Sequence, residues 1–204
     1  MSFKIAALDR LIEELARLPG LGEKTAQRLA FHILKSRTGI AENLSQALTE
    51  VKAQVHDCPH CFSFTDQELC AICSAPHRLT ELLCVVEDPA DILRIESSLS
   101  FKGRYHVLQG VLSPLDGVGP DQIRIHELIE RVKNEGIREV ILALDADIEG
   151  DATSHYLTKH LKSLVLEDGP VKVSRIAHGV PIGGNLDYVD YRTLSRALEN
   201  RVEQ

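Results

Sequence analysis

Residues 139–151 read EVILALDADIEGD, an apolar run that ends in a cluster of carboxylates. A second apolar run, LLCVVEDP at residues 82–89, also ends in acids. Short runs of this kind predict strands, and a stretch of helical length follows each of them. Strands that alternate with helices are typical of an α/β fold, in which helices cover both faces of a mainly parallel sheet.

The same alternation extends from about residue 80 to the end of the chain. Strands are predicted at 82–86, 105–108, 140–144 and 171–175, and helices at 89–97, 122–135 and 151–166. A Gly-rich loop at 176–188 and a closing helix at 190–201 complete the pattern.

Carboxylates stand directly after two of the predicted strands. The carboxyl ends of parallel strands meet at one edge of a sheet, so Glu87, Asp145 and Asp147 are expected to lie close together. Carboxylate oxygens are ligands for Mg²⁺, which would suit phosphoryl chemistry. The alternative is that the acids cap the helices that follow, and Asp88 before Pro89 has the pattern of an N-cap. The residues alone leave both interpretations open.

The first 54 residues follow a different pattern, with helices and no strand. The predicted helices cover 4–17, 23–35 and 41–54, and LPGLG at 18–22 separates the first two. Proline and glycine end a helix, and Gly20 and Gly22 permit a tight turn whose backbone can approach a phosphate closely. The second helix would direct its free N–H groups at the same phosphate.

A row of basic residues on the second helix points to the same chemistry. Lys24, Arg28 and Lys35 are spaced at i, i+4 and i+11 and therefore share one stripe. Residues 1–54 hold eight Lys and Arg against six acids, whereas the whole chain has a net charge of −7. The pattern favours a helix-hairpin-helix that binds the DNA backbone without reading its sequence. The other interpretation is a helical hairpin with a solvated basic face.

Four of the five cysteines lie within residues 55–76, a segment without Lys or Arg. They form two CxxC pairs, and each pair can place two thiolates on one tetrahedral ion. Four such ligands leave no open position, so structural Zn²⁺ is predicted. Two disulfides are the competing interpretation, disfavoured in a chain without an export signal. The proposed ligands are Cys58, Cys61, Cys70 and Cys73, while Cys84 is expected in the core.

Composition and charge exclude several classes of protein. The longest apolar runs are five residues, far short of the about 20 that a transmembrane helix needs. The start of the chain lacks the apolar segment of a signal peptide, so a cytoplasmic location is expected. The negative charge argues against a general DNA-coating protein and places any DNA contact at the mildly basic N-terminal end.

Several longer stretches follow the order of one known family. The main ones are LPGLGEKTAQRLAFHIL at 18–34, the CPHC and CAIC pairs within 58–73, and DADIEG at 145–150. The last, after the Glu87 strand, resembles the Toprim domain of topoisomerases and DnaG-type primases. The whole chain resembles the bacterial recombination mediator family RecR. Further matches are GRYHVL (103–108), SPLDGVGP (113–120), EGDAT (149–153) and RIAHGVPIGG (175–184).

The resemblance implies a separate domain for each segment of the chain. It implies a helix-hairpin-helix at 1–54, a four-cysteine zinc finger at 55–76, a Toprim domain at 77–175, and a C-terminal loop and helix at 176–204. Lys24 and Arg28 become candidate contacts to single- and double-stranded DNA, and the cysteines become ligands of one structural zinc. RecR-like chains form dimers and tetrameric rings that can encircle DNA.

The resemblance also implies a function without catalysis. Proteins of this family work with RecO and RecF proteins to help load RecA onto SSB-coated single-stranded DNA at gaps, which places them at the nucleoid. Many have lost one or both of the aspartates that Asp145 and Asp147 preserve, so residual Mg²⁺ binding stays open here. The acidic face that includes Glu149 is implied as a docking surface for RecO.

Two alternatives come from other classes of protein. One is a small Mg²⁺-dependent Toprim nuclease or primase-like enzyme that uses Glu87, Asp145 and Asp147. The other is a purely structural zinc-bound oligomer.

Overall fold

The computed structural model describes residues 5–164, 166 and 169–201. Residue 4 of the first predicted helix, residue 165 of the helix predicted at 151–166, and residues 202–204 of the C-terminal segment lie outside this range. The chain divides into two compact units, residues 1–55 and 56–204.

The described part of the first unit, residues 5–55, is built from three helices. Gly20, with φ of +81°, makes the tight turn between the first two, and Leu21 N donates to Leu18 O across it (3.1 Å). The first two helices pack against each other, and Ala26 and Ala30 of the second helix are fully buried. The helices are α1 (Ala6–Ala16), α2 (Glu23–Lys35) and α3 (Ile40–Gln54), close to their predicted positions.

Helix α3 leaves its apolar stripe open. Leu44, Leu48 and Val51 follow helical spacing, and they are 43%, 61% and 57% exposed. A stripe of this kind normally faces a core. In α3 the stripe is exposed instead.

The second unit contains a four-stranded parallel sheet flanked by helices, which confirms the predicted α/β fold. The sheet strands are β3 (Leu82–Val86), β4 (Arg104–Val107), β5 (Glu139–Leu142) and β6 (Lys172–Arg175). Their order is β4-β3-β5-β6, and Val85 of the central β3 stands opposite His106 on one side and Leu142 on the other. Two short antiparallel strands precede them, β1 (His56–Asp57) and β2 (Phe64–Thr65).

The helices of this unit depart from their predicted bounds where a polar contact sets the end. The helix predicted at 151–166 begins at Ile148, because the Asp147 carboxylate accepts a hydrogen bond from Gly150 N and starts the first turn there. The helix predicted at 122–135 begins only at Ile125, because Arg124 N donates to Leu108 O instead. The helices are α4 (Pro89–Ser97), α5 (Ile125–Asn134), α6 (Ile148–Lys162) and α7 (Tyr191–Glu199), with a 3-10 turn at Leu186–Tyr188.

Both faces of the sheet are buried. Successive side chains of a strand point to opposite faces, so Leu83 and Val85 join one cluster with residues of α5 and α6, and Cys84 and Val86 join another with Ile92 of α4. Cys84 is 2% exposed, as predicted. Among the described helices, none is long and apolar enough to cross a membrane.

Candidate zinc centre and nucleic-acid interface

The four predicted zinc ligands converge on one point. Their sulfur atoms all lie within 4.8 Å of one another, all four residues are buried, and the Cys61 and Cys70 sulfurs are 3.5 Å apart. Zinc–sulfur bonds of about 2.3 Å in a tetrahedron place sulfurs about 3.8 Å apart. The donor set therefore fits one Zn²⁺. In the described part of the chain, no other group of three or more His, Cys, Asp or Glu side chains is this compact.

Backbone N–H groups orient the sulfurs. Cys70 N donates to Cys58 Sγ (3.5 Å), and Cys73 N donates to Cys70 Sγ (3.4 Å). The turn after the first pair closes through Phe62 N and Cys58 O (2.9 Å), with Phe62 at φ +63°. All five cysteines of the chain are free of disulfides, which agrees with metal binding.

Hydrogen bonds among Cys61, Cys70 and Cys73 shift the pKa values of all three thiols. Hydrogen bonding to Cys70 raises the pKa of Cys61 to about 12, and hydrogen bonding to Cys61 raises the pKa of Cys73. The same bonds, from Cys61 first and then Cys73, lower the pKa of Cys70. One thiolate is thus stabilised by its protonated neighbours. Zinc would replace those protons, so metal binding releases protons.

The zinc knuckle, residues 58–73, is attached to the edge strand β4. Val107 N donates to Cys61 O (2.8 Å), and Gln109 Nε2 donates to Phe62 O (2.7 Å). The Phe62 ring meets His106 edge-on, with centroids 5.3 Å apart, and the Arg124 guanidinium lies 4.8 Å above it. The knuckle therefore covers backbone groups of an edge strand that would otherwise be open for pairing.

The helical hairpin presents the predicted basic residues on an exposed face of α2. Lys24, Arg28 and Lys35 are all exposed, and no atom would lie within 4 Å of a Cβ added at Gly20 or Gly22. The turn is thus open to a ligand. Lys24 and Arg28 are one helical turn apart, whereas Lys35 ends the helix about 16 Å from Lys24. The structure therefore places two of the three basic residues beside the turn and the third at the far end.

Three of the acids predicted at the sheet edge, Glu87, Asp147 and Glu149, have individual hydrogen-bond partners. Glu87 Oε1 accepts from Asp145 N (2.8 Å), and Asp147 caps α6 through Gly150 N (2.7 Å). Glu149 Oε1 accepts from Ser113 Oγ (2.6 Å). Burial raises the pKa of Glu87, and the charges of Asp145 and Asp147 raise it further, against the bond from Asp145 N. The carboxylates approach the same edge without forming a group as compact as the cysteines.

The capping interpretation is confirmed for Asp88 and Asp147. Asp88 accepts from Ala90 N (2.8 Å), and Asp91 accepts from Asp88 N (3.1 Å), which makes a capping box at the start of α4. Asp147 has the corresponding role at α6. Gly150 is required there, because a Cβ would lie 2.2 Å from Asp145 O. The aspartates thus build the local backbone whatever else they bind.

The edge of the sheet is less uniformly acidic than the sequence predicts. A cavity of about 800 Å³ opens there, and its walls carry Asp145 and Asp147 together with Arg94, Arg192 and Arg196. Asp151, next along α6, pairs with Arg175 (2.6 Å) and with Arg196. Arg94 comes from α4, Arg175 from the end of β6, and Arg192 and Arg196 from α7. The sequence pattern did not connect these arginines to this edge.

These parts define a class of DNA-binding protein that combines a helix-hairpin-helix, a four-cysteine zinc finger and a Toprim domain. Family models match each part: RecR helix-hairpin-helix at residues 8–52, RecR four-cysteine zinc finger at 55–75, Toprim domain at 81–177 and RecR C-terminal at 179–202. The chain belongs to the RecR family of recombination proteins. The four-cysteine site is accordingly a structural zinc centre.

Curated relatives agree over nearly the whole chain. Recombination protein RecR of Bdellovibrio bacteriovorus is 56% identical, covering 98% of each chain. Those of Myxococcus xanthus and Syntrophobacter fumaroxidans are both 54% identical, covering 95% of this chain and 96% and 94% of their own. A role in recombinational repair follows from the family.

Proposed function

We propose that this chain is a non-catalytic mediator that acts with RecO- and RecF-type proteins to help load RecA onto SSB-coated single-stranded DNA at gaps. The observation that carries the proposal is the exposed basic face of α2 beside an open glycine turn, in a chain whose relatives are named recombination protein RecR. Such a face binds phosphates of single- or double-stranded DNA without reading sequence. The work would take place in the cytoplasm, at the nucleoid.

A loading assay tests this function directly. SSB-coated gapped DNA is incubated with RecA and a RecO-type partner, with and without this protein, and RecA filament formation is followed. We expect faster loading when all components are present. The proposal fails if the chain leaves loading unchanged at every partner concentration.

The roles are proposed to follow the sequence segments. Residues 1–54 would hold DNA, 55–76 the zinc, 77–175 the partner surface, and 176–204 would close the acidic edge. The C-terminal contribution is supported by Arg196 of α7, which reaches Asp151 of α6. The knuckle and the sheet belong to the same compact unit, which supports a structural role for the metal.

We propose that the edge bearing Glu87, Asp145, Asp147 and Glu149 binds a basic partner of the RecO type. The open cavity and the remaining carboxylate oxygens support a protein contact there. Ser113 Oγ lies 2.6 Å from Glu149 Oε1 and 2.7 Å from Asp116 Oδ2 and donates its one proton to either carboxylate. The 113–118 loop, with its exposed Leu115, therefore lies beside this edge. Mg²⁺ would bind these acids weakly at most.

The enzyme alternative has one clear assay. Labelled DNA is incubated with the protein and Mg²⁺, and cleavage or ligation products are sought. Asp147 is engaged in capping and Glu87 in holding Asp145 N, so we expect no turnover. A Mg²⁺-dependent activity that disappears in Asp147→Asn would replace the mediator proposal for this edge.

Self-association is proposed on the open stripe of α3. The exposed Leu44, Leu48 and Val51 form an apolar surface that a second copy of the chain could cover. A dimer or tetrameric ring would also multiply the phosphate contacts of the hairpins, because linked sites raise the effective concentration.

A further inference from the structure

His60, inside the first CxxC pair, touches both the zinc knuckle and the α/β sheet unit. Its Nδ1 lies 3.4 Å from Cys73 Sγ, and its Nε2 lies 3.0 Å from Glu135 Oε1. Glu135 stands at the C-terminal end of α5. One imidazole ring therefore bridges a zinc ligand and a helix more than 70 residues away in the sequence.

The carboxylate that receives His60 is itself held by a buried arginine. The Arg131 side chain is only 5% exposed, and its Nε donates to Glu135 Oε2 (3.0 Å). Its Nη1 donates to Tyr105 O on β4 (2.7 Å), and its Nη2 lies 3.4 Å from His60 Nδ1. A buried guanidinium is unfavourable unless its charge is compensated. Glu135 supplies one compensating charge.

The zinc centre supplies a second negative charge close to this arginine, because His60 Nδ1 lies 3.4 Å from Arg131 Nη2 and 3.4 Å from Cys73 Sγ. Four thiolates carry more negative charge than one Zn²⁺ carries positive charge, so the metal centre is anionic. Arg131 approaches this centre next to the His60 ring. We propose that Arg131 and Glu135 are positioning residues of the zinc site, which hold the His60 ring against Cys73 and offset the negative charge of the zinc–thiolate centre.

Metal retention then depends on helix α5. Removing a group that hydrogen-bonds to a metal ligand typically lowers the affinity for the metal by about 10- to 100-fold. Arg131 also hydrogen-bonds to the edge strand β4, since it donates to Tyr105 O. Two residues further along the strand, Val107 N donates to Cys61 O of the knuckle. Loss of the metal should therefore destabilise the edge of the sheet at β4, and loss of the Glu135 carboxylate should lower the affinity for zinc.

The test uses the full zinc-loaded chain and measures two properties of the metal site. One is the rate of Zn²⁺ release into a colorimetric chelator. The other is the sulfur-to-metal absorption band after Co²⁺ substitution. We expect Glu135→Gln to release zinc about ten-fold faster or more and to shift the Co²⁺ band, because Cys73 loses its fixed neighbour.

Glu96→Gln is the matched control. Glu96 and Glu135 have almost equal side-chain exposure, 29% and 30%, and each pairs with an arginine of the same unit. Glu96 also accepts from Tyr105 OH (2.6 Å) but does not contact the knuckle cysteines. This variant should lose stability and keep the wild-type zinc release rate.

A double-mutant cycle identifies the route. His60→Phe and Glu135→Gln act through the same ring, so the double variant should release zinc no faster than either single variant. Arg131→Met should resemble them; if it does not fold, Glu135→Gln decides. Wild-type release and an unchanged Co²⁺ band in folded Glu135→Gln would overturn the proposal and leave a purely structural ion pair.

Discussion

At the scale of single residues, Lys24 and Arg28 carry the proposed DNA contact. Both are exposed beside the glycine turn of the hairpin. A phosphate contact adds to affinity through counterion release, without regard to base sequence. Each residue should therefore act on the salt dependence of binding rather than on its specificity.

Lys24→Ala and Arg28→Ala are expected to weaken DNA binding about equally for all sequences. Each should lower the slope of log affinity against log salt by roughly one unit. Fluorescence anisotropy at a series of salt concentrations measures this slope. Lys52→Ala on α3 removes the same charge away from α2 and should leave the slope as it is. Equal slopes in all variants would move the DNA site elsewhere.

Glu87 carries a charge that is unfavourable in the folded chain. Burial, then the charges of Asp145 and Asp147, raise its pKa above the ordinary value of 4.5. The folded state therefore resists ionisation of Glu87, and stability is lost as pH rises from about 4.5 through the raised pKa.

Glu87→Gln should stabilise the protein at neutral pH and have little effect at pH 4. Gln retains an oxygen to accept from Asp145 N, so the variant removes the charge alone. Thermal unfolding from pH 4 to pH 8 measures the difference. Asp121→Asn changes an exposed acid and should show no such pH-dependent gain. A stability difference that does not grow with pH would contradict the prediction.

At the scale of elements, the knuckle depends on its metal more than on apolar packing. Its main apolar contacts outside the cysteines are Phe62 and Ile72 against the sheet cluster. Structural zinc contributes on the order of 10 kcal/mol in small zinc-binding folds. Removing the ion should therefore loosen both the knuckle and the edge of β4.

Elemental analysis of freshly purified protein should find one zinc per chain, and chelation should lower the unfolding temperature. Cys58→Ser should reduce yield or solubility more than the DNA affinity of the protein that remains folded. Cys84→Ala changes a buried cysteine outside the site and should keep one zinc. Substantially less than one zinc in the wild-type protein would show that the assignment is wrong.

Most elements were predictable from the sequence because their signals are local. The glycine turn at 18–22 and the capping pattern at Asp88 and Pro89 act within a few residues, and α2 and α4 have their predicted bounds. The first turn of α6 was misplaced, because its start depends on an Asp147 cap that apolar periodicity does not reveal. The start of α5 depends on a contact with Leu108, which is distant in sequence.

At the scale of the whole molecule, the edge bearing the acids is proposed to meet a partner. Asp147→Asn with Glu149→Gln should weaken binding of a RecO-type protein about ten-fold or more, since close charge pairs at an interface couple by about 1.5 kcal/mol or more. Asn can still cap α6 and Gln can still accept from Ser113, so the fold is retained. Surface plasmon resonance measures the loss, and DNA binding should stay at the wild-type level.

Asp66→Asn with Glu68→Gln is the control for net charge. Both acids are exposed in the knuckle, and the pair of changes removes the same two charges at a different place. If this pair weakens the partner as much as the first pair, the contact is long-range attraction and the docking surface is not at the sheet edge.

The open stripe of α3 makes a prediction about assembly. Leu48 is 61% exposed, so Leu48→Glu should leave the folded monomer nearly unchanged in stability, within about 0.5 kcal/mol. It should instead shift the protein towards smaller species in analytical ultracentrifugation. Ala53→Glu introduces the same charge on the opposite side of α3 and should leave assembly unchanged. Equal assembly in both variants would contradict the use of this stripe.

The sequence by itself determined the α/β class, the helical hairpin and the four zinc ligands, because spacing alone sets which side chains share a turn, a strand face or an ion. Only the tertiary structure decided what surrounds these sites. Helix α5 brings Arg131 and Glu135 to His60, and α7 brings Arg196 to Asp151. Nothing local marks such pairs, since their partners are separated along the chain and meet only when the sheet and its helices pack.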